Sequence, residues 1–228
     1  MPPAASILPS EEVLTEDRAA AIRSAQEDWA GQLRERFAAW SETPVGRTTP
    51  VDWIDVEGDA AAIVSDHGKR SGAIVIARPD RHETERLHDC LHAALFDTDG
   101  PVLVVPPDGP RPFGQTIAIA WRDDPHAANA VRSSLPLLRQ AGSVHVLTAD
   151  RQAALPATLR DHGISASVHQ VPPGEGSVGD RLLRSAHALG ADLLVMGAFT
   201  HGEWRERLFG GVTRTMLAQA DLPLWMQR

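Results

Sequence analysis

Backbone amides next to glycine, rather than reactive side chains, are the chemical resource of this chain. In the segment Ala191 to Arg214 an apolar strand ends at Gly197, a loop follows, and Gly210-Gly211-Val212 opens the next helical segment. Glycine lets backbone N–H groups close on a phosphate, and a helix N-terminus adds partial positive charge. Gly197, Gly210, Gly211 and Val212 are therefore the candidate phosphate-binding residues. The competing use of the Gly210-Gly211 pair is a loop-to-helix packing corner, because glycine also permits close helix–sheet approach.

Other constellations carry less. Gly174-Glu175-Gly176-Ser177-Val178-Gly179 fits the dinucleotide fingerprint. Pro172-Pro173 separate it from the preceding strand, however, and no carboxylate follows near residues 197–200 to hold a ribose. It reads as a glycine-rich entry to a helix. His88 and His92 stand one helical turn apart with Cys90 between them and His82 nearby, but Cys90 is on another face and no second ligand pair recurs, so no metal site is assigned. The zinc-protease pattern fails at Arg86, and neither a Gly-x-Ser-x-Gly elbow nor a phosphate loop ending in Gly-Lys-Ser/Thr is present. No nucleophile–base pair can be placed together, so no catalytic residue is assigned and the protein is not expected to be an enzyme.

The elements that position the glycines follow from periodicity. Residues 10–40 carry Ile22, Ala25, Trp29, Leu33, Phe37 and Trp40 on one helical stripe, expected to be buried. Strands are expected at 51–56, 73–77 and 101–105, with helices at 59–69 and 83–96. Residues 107–112 form a linker rich in proline and glycine. Beyond it come strands at 117–121, 144–147, 165–171, 193–196 and 222–226. The helices between them fall at 125–140, kinked by Pro136, and at 151–162, 177–189 and 204–219, the last interrupted by Gly210-Gly211. This alternation predicts an α/β fold, a parallel sheet with helices on both faces.

The two halves repeat. Residues 71–76 overlay 190–195, and 100–103 overlay 222–225. The chain thus reads as a partial module over 1–106, lacking its opening strands, the linker 107–112, and a complete module over 113–228. The last strands of the two modules, around Leu103 and Trp225, are expected to pair antiparallel, since each would otherwise be a bare apolar edge.

The segment from Ala191 to Arg214 closely resembles the last third of the universal stress protein family, whose nucleotide-binding members carry Gly-x2-Gly-x9-Gly-Ser/Thr there. Trp121 to Ala127 with Ser134 to Leu138 also resembles the opening of tandem members. The resemblance implies a doubly wound parallel five-stranded sheet of order 3-2-1-4-5 and a homodimer through fifth-strand edges. It also implies a stress-response role exercised by binding and association. Gly197 and Gly210 match the first and third glycines of the pattern. Thr200 replaces the second, Gly211 replaces the Ser/Thr, and Arg122 stands where nucleotide-binding members place an aspartate near the adenine. These departures resemble the branch that does not bind ATP tightly, so no cofactor is expected beyond weak nucleotide or anion binding. The alternative is an ATP-binding or ATP-hydrolysing protein that uses the Gly197 to Gly211 loop.

Composition agrees. The net charge of −8 argues against a nucleic-acid or anionic-membrane partner. A single cysteine, Cys90, cannot form an internal disulfide. No stretch approaches the ~20 apolar residues of a membrane span. A cytoplasmic location is the expectation.

Overall fold

The computed structural model describes residues 16–78, 85–107, 112–149, 154–198 and 211–228. Two compact units meet in sequence at Gly58 and Asp59.

The first unit holds α1 (Glu16–Ser41), α2 (Pro44–Thr48) and an extended segment up to Gly58. The Thr43 hydroxyl accepts from the Gly46 N–H, and Pro44 occupies the first turn of α2, where its missing donor is harmless. Gly46 is required there: a Cβ would fall 2.3 Å from the Trp40 carbonyl oxygen. Phe37 gathers Trp40 and Trp53 at 6.2 and 5.3 Å between ring centroids, and Arg34 pairs with Asp55. The stripe expected to be buried is only half-covered. Ile22, Ala25, Leu33 and Phe37 are intermediate in exposure, while Trp29 and Trp40 are each 40% exposed.

Residues 51–56, expected as a strand, form no ladder and are exposed throughout. The repeat supplies the physical reason. In the second half the strand at the matching place, β5 (Ser167–Gln170), is hydrogen-bonded to β4 (Ser143–Thr148), and among the described residues before Ile74 no strand stands ready to pair with 51–56 in the same way. Backbone without a neighbouring strand has no partner for its N–H and C=O groups, so β propensity in 51–56 goes unused.

The second unit is built on one seven-stranded sheet. Its strands are β1 (Ile74–Ala77), β2 (Val102–Val105), β3 (Thr116–Ala120), β4, β5, β6 (Leu193–Gly197) and β7 (Leu224–Gln227), in the order β1-β2-β7-β6-β3-β4-β5. Every pair is parallel except β2–β7, where Val102 faces Met226, Leu103 faces Trp225 and Val104 faces Leu224. The last strands of the two sequence repeats therefore pair as expected. The residues before and after 107–112 contribute strands to the same sheet.

Helices cover both faces. Leu194 and Met196 point into a core that also holds residues of α4 (Glu85–Phe96), α8 (Val178–Ala188) and α9 (Gly211–Gln219). Leu193 and Val195 point the other way, into a core shared with α5 (Pro125–Ser133), α6 (Leu135–Leu138) and α7 (Ala157–Asp161). The period-2 alternation of a strand buried on both faces accounts for its continuous apolar sequence. The helix expected over 125–140 is broken at Ser134, because Pro136 has no N–H to continue the ladder. Of the one expected over 151–162, residues 151–153 lie outside the described residues, and α7 starts just after Pro156, a residue that a helix interior does not tolerate. The remaining helix of this unit is α3 (Ala60–Gly68), with Asp59 as its N-cap.

This topology corrects the expected route to a homodimer. Both β2 and β7 are flanked on each side by another strand of the same chain, so neither fifth-strand edge is available to a second copy. Among the described residues the sheet ends at β1, with Val75 66% exposed, and at β5.

Candidate functional site

In an open parallel sheet, ligands bind beyond the carboxyl ends of the strands where the winding direction reverses. Here that point lies between β3 and β6: from β3 the chain proceeds outward to β4 and β5, then returns to β6 on the other side. The groups assembled there are Arg122 after β3, the first turn of α5, and Gly197 and Ala198 at the end of β6.

Arg122 is held inside the chain. Its Nε donates to Asp124 Oδ2 at 2.7 Å, and Asp124 Oδ1 accepts from the Ala127 N–H at 2.9 Å as the N-cap of α5. Burial works against ionisation of Asp124, but the Ala127 hydrogen bond and the paired Arg122 guanidinium outweigh it and hold the carboxyl below its usual range. Sequence reasoning singled out Arg122 and missed Asp124. The signal was present in Asp124-Pro125, an N-cap residue followed by proline at the first helical position.

A carboxylate whose pKa is depressed by folding stabilises the protein above its unfolded value of about 3.9 and loses that contribution as pH falls through the folded value. Asp124→Ala is accordingly expected to cost about 0.5–2 kcal/mol at neutral pH, as removal of an N-cap does. Urea denaturation at a series of pH values checks this. The gap between Asp124→Ala and the parent should hold down to about pH 4 and narrow as pH is lowered below it, and a pH-independent gap would contradict the assignment.

Gly197 is a packing glycine. A Cβ built on it would lie 2.6 Å from the Ala127 nitrogen and 2.8 Å from the His126 carbonyl carbon, so the end of β6 abuts the first turn of α5 directly. Gly211 is the opposite case: it begins α9, is exposed, and a Cβ there would meet nothing within 4 Å. Val212 is half-buried against the sheet core. Gly210 and Thr200 lie outside the described residues. Of the four candidate phosphate ligands, the described part thus gives Gly197 to helix packing and shows Gly211 exposed as the first described residue of α9.

The fingerprint-like stretch has a structural account as well. Ser177 Oγ accepts from the Asp180 N–H while Asp180 accepts from the Ser177 N–H, a capping box at the start of α8. Gly176 adopts φ +86°, and Gly179 lets α8 approach α9, since a Cβ would fall 2.6 Å from Thr215. Its glycines shape a helix entry and a helix contact. On α4, Cys90 is buried and His92 stacks on Phe96 at 4.6 Å, while His82 lies outside the described residues. Among the described residues no three or more His, Cys, Asp or Glu side chains gather as metal ligands.

The universal stress protein family model matches residues 123–228, the stretch that runs from the cap of α5 through β7. That segment belongs to the universal stress protein family. Among solved structures, a universal stress protein from Archaeoglobus fulgidus DSM 4304 is 14% identical, aligns over 96% of this chain and 84% of its own, and has a TM-score of 0.65. A functionally unknown protein from Pseudomonas aeruginosa PAO1 is 17% identical over 90% of this chain and 77% of its own, with a TM-score of 0.56. At such identities these likenesses show the fold. No curated protein matches the chain. The family match over 123–228 supports a stress-response protein, and the sheet is the parallel-dominated α/β sheet expected of it. Among the described residues no helix is long and apolar enough to cross a membrane.

Proposed function

We propose that this protein takes part in a cytoplasmic stress response by binding and association rather than by turnover, with weak nucleotide binding at best. The observation that carries the reading is the Arg122–Asp124 ion pair. Where nucleotide-binding relatives place a carboxylate to accept from the base, this chain has a donor-only guanidinium already committed to the cap of α5. Gly211, in the place of a hydroxyl residue, removes a second hydrogen bond at the phosphate end. Each lost hydrogen bond costs about 0.5–1.5 kcal/mol, so the pair should weaken nucleotide binding about ten- to hundredfold. The Gly211 and Val212 amides remain the candidates for an inorganic anion.

Calorimetry with ATP at low salt tests this. The unmodified protein is expected to bind weakly and to release no phosphate, and Thr200→Gly combined with Gly211→Ser should bind more tightly. A micromolar or tighter dissociation constant for the unmodified protein, or measurable hydrolysis, would favour the rival reading of an ATP-binding or ATP-hydrolysing protein.

A further inference from the structure

At one end of the sheet, β5 is hydrogen-bonded to β4 and to no other strand. Ser167, Val168 and Gln170 are exposed, and His169 is the one side chain of β5 that is half-buried. What half-covers it is another histidine. His145 Nδ1 on β4 and His169 Nε2 are 3.1 Å apart, and the two rings meet edge to face with centroids at 5.1 Å. Leu147 points into the core shared with α8, so His145, two residues earlier on the same strand, is on that face as well.

A neutral imidazole offers one N–H and one acceptor nitrogen, so the contact needs one ring to donate and the other to accept. A first proton can be shared across it. A second leaves no acceptor and sets two cations 3.1 Å apart. Burial, and then the neighbouring His169, hold the pKa of His145 below its ordinary value of 6.5. Among the described residues no carboxylate is placed to relieve the clash. β3, β4 and β5 carry no further ionisable side chain. The charged groups of α8, which packs against β4, are engaged elsewhere: Asp180 with Ser177, Arg181 and Arg184 with the carbonyls of Gly176 and Glu175, and His187 with Asp221. The helices α5, α6 and α7 lie on the opposite face of the sheet.

We propose that the histidine pair is an acid-sensitive latch: it holds β5 to β4 while at most one ring is protonated, and lets β5 open when both are, baring the outer edge of β4. Because His145 is depressed in the closed strand, it binds its proton more tightly once β5 has opened, so opening grows as pH falls below about 6.5. Ile164 and Val171, which flank the strand, are buried, so what opens is the segment between them.

Hydrogen exchange of the full chain, corrected for intrinsic rates and compared at about pH 7.5 and about pH 5, tests this with the β6 amides as internal reference. Protection across 167–170 is expected to fall about two- to tenfold on acidification relative to β6, as loss of one hydrogen bond predicts. His145→Gln and His169→Gln each remove one of the two charges and should flatten that response. The imidazole C–H signals of the parent should show the two rings titrating in coupled steps, which decides the matter even where a variant fails to fold. The proposal is overturned if 167–170 keep their protection in acid, if β6 loses protection in step with them, if either variant responds like the parent, or if the two rings titrate independently.

Discussion

Leu224→Ala is expected to lower the stability of residues 59–228 by about 2–5 kcal/mol, the range for truncating a fully buried leucine in a core that cannot collapse around the void. Leu224 is 1% exposed. It lies on β7, between Val104 of β2 and Leu194 of β6, so the void opens at the one place where the two sequence halves share a ladder. That position turns a loss of stability into a statement about cooperativity. If the antiparallel seam makes both halves one folding unit, urea unfolding followed by far-ultraviolet dichroism and by tryptophan fluorescence should remain superimposable, and the midpoint should move in both signals together. Leu224→Lys, which places a charge in the same position, should abolish the cooperative transition. A variant that shifts only one signal, or a parent protein with two separated transitions across the sheet, would show that the halves fold independently and that the seam is a weak contact.

What could be read in the sequence was whatever depends on neighbours along the chain. The apolar run at 193–196, the alternation of strands and helices beyond residue 113 and the pairing of the two last strands all follow from local pattern and from the repeat. Two kinds of feature escaped. The segment 51–56 has the composition of a strand, but ladder formation needs a neighbour, and among the described residues no strand pairs with it. The role of Gly197 escaped for a related reason: a glycine at a strand end serves equally for a phosphate and for a passing helix, and only the position of His126 and Ala127 decides between them. The seam is the extreme case, because the hydrogen bond from Gln227 to the Asp99 carbonyl joins residues 128 apart in sequence, and nothing local marks either as the other's partner.

Gly197→Ala separates the two uses of that glycine. The added methyl would lie 2.6 Å from a backbone nitrogen and 2.8 Å from a backbone carbonyl carbon, and neither atom can rotate away as the end of a side chain could. Either β6 or the first turn of α5 must move, and the Asp124 cap and its Arg122 partner move with the helix. Overpacking of this kind costs about 1–3 kcal/mol, and the loss should appear in thermal or urea unfolding with no nucleotide present. Gly211→Ala is the matched control, since a Cβ there meets nothing within 4 Å and alanine is the better helix former. It should leave stability unchanged or raise it slightly. A glycine kept for phosphate contact behaves the other way round: its substitution leaves the unliganded protein as stable as the parent and shows itself only when ATP is added. Equal stability of Gly197→Ala and the parent without nucleotide would therefore return Gly197 to the phosphate site and weaken the case for a binding protein that has given up ATP.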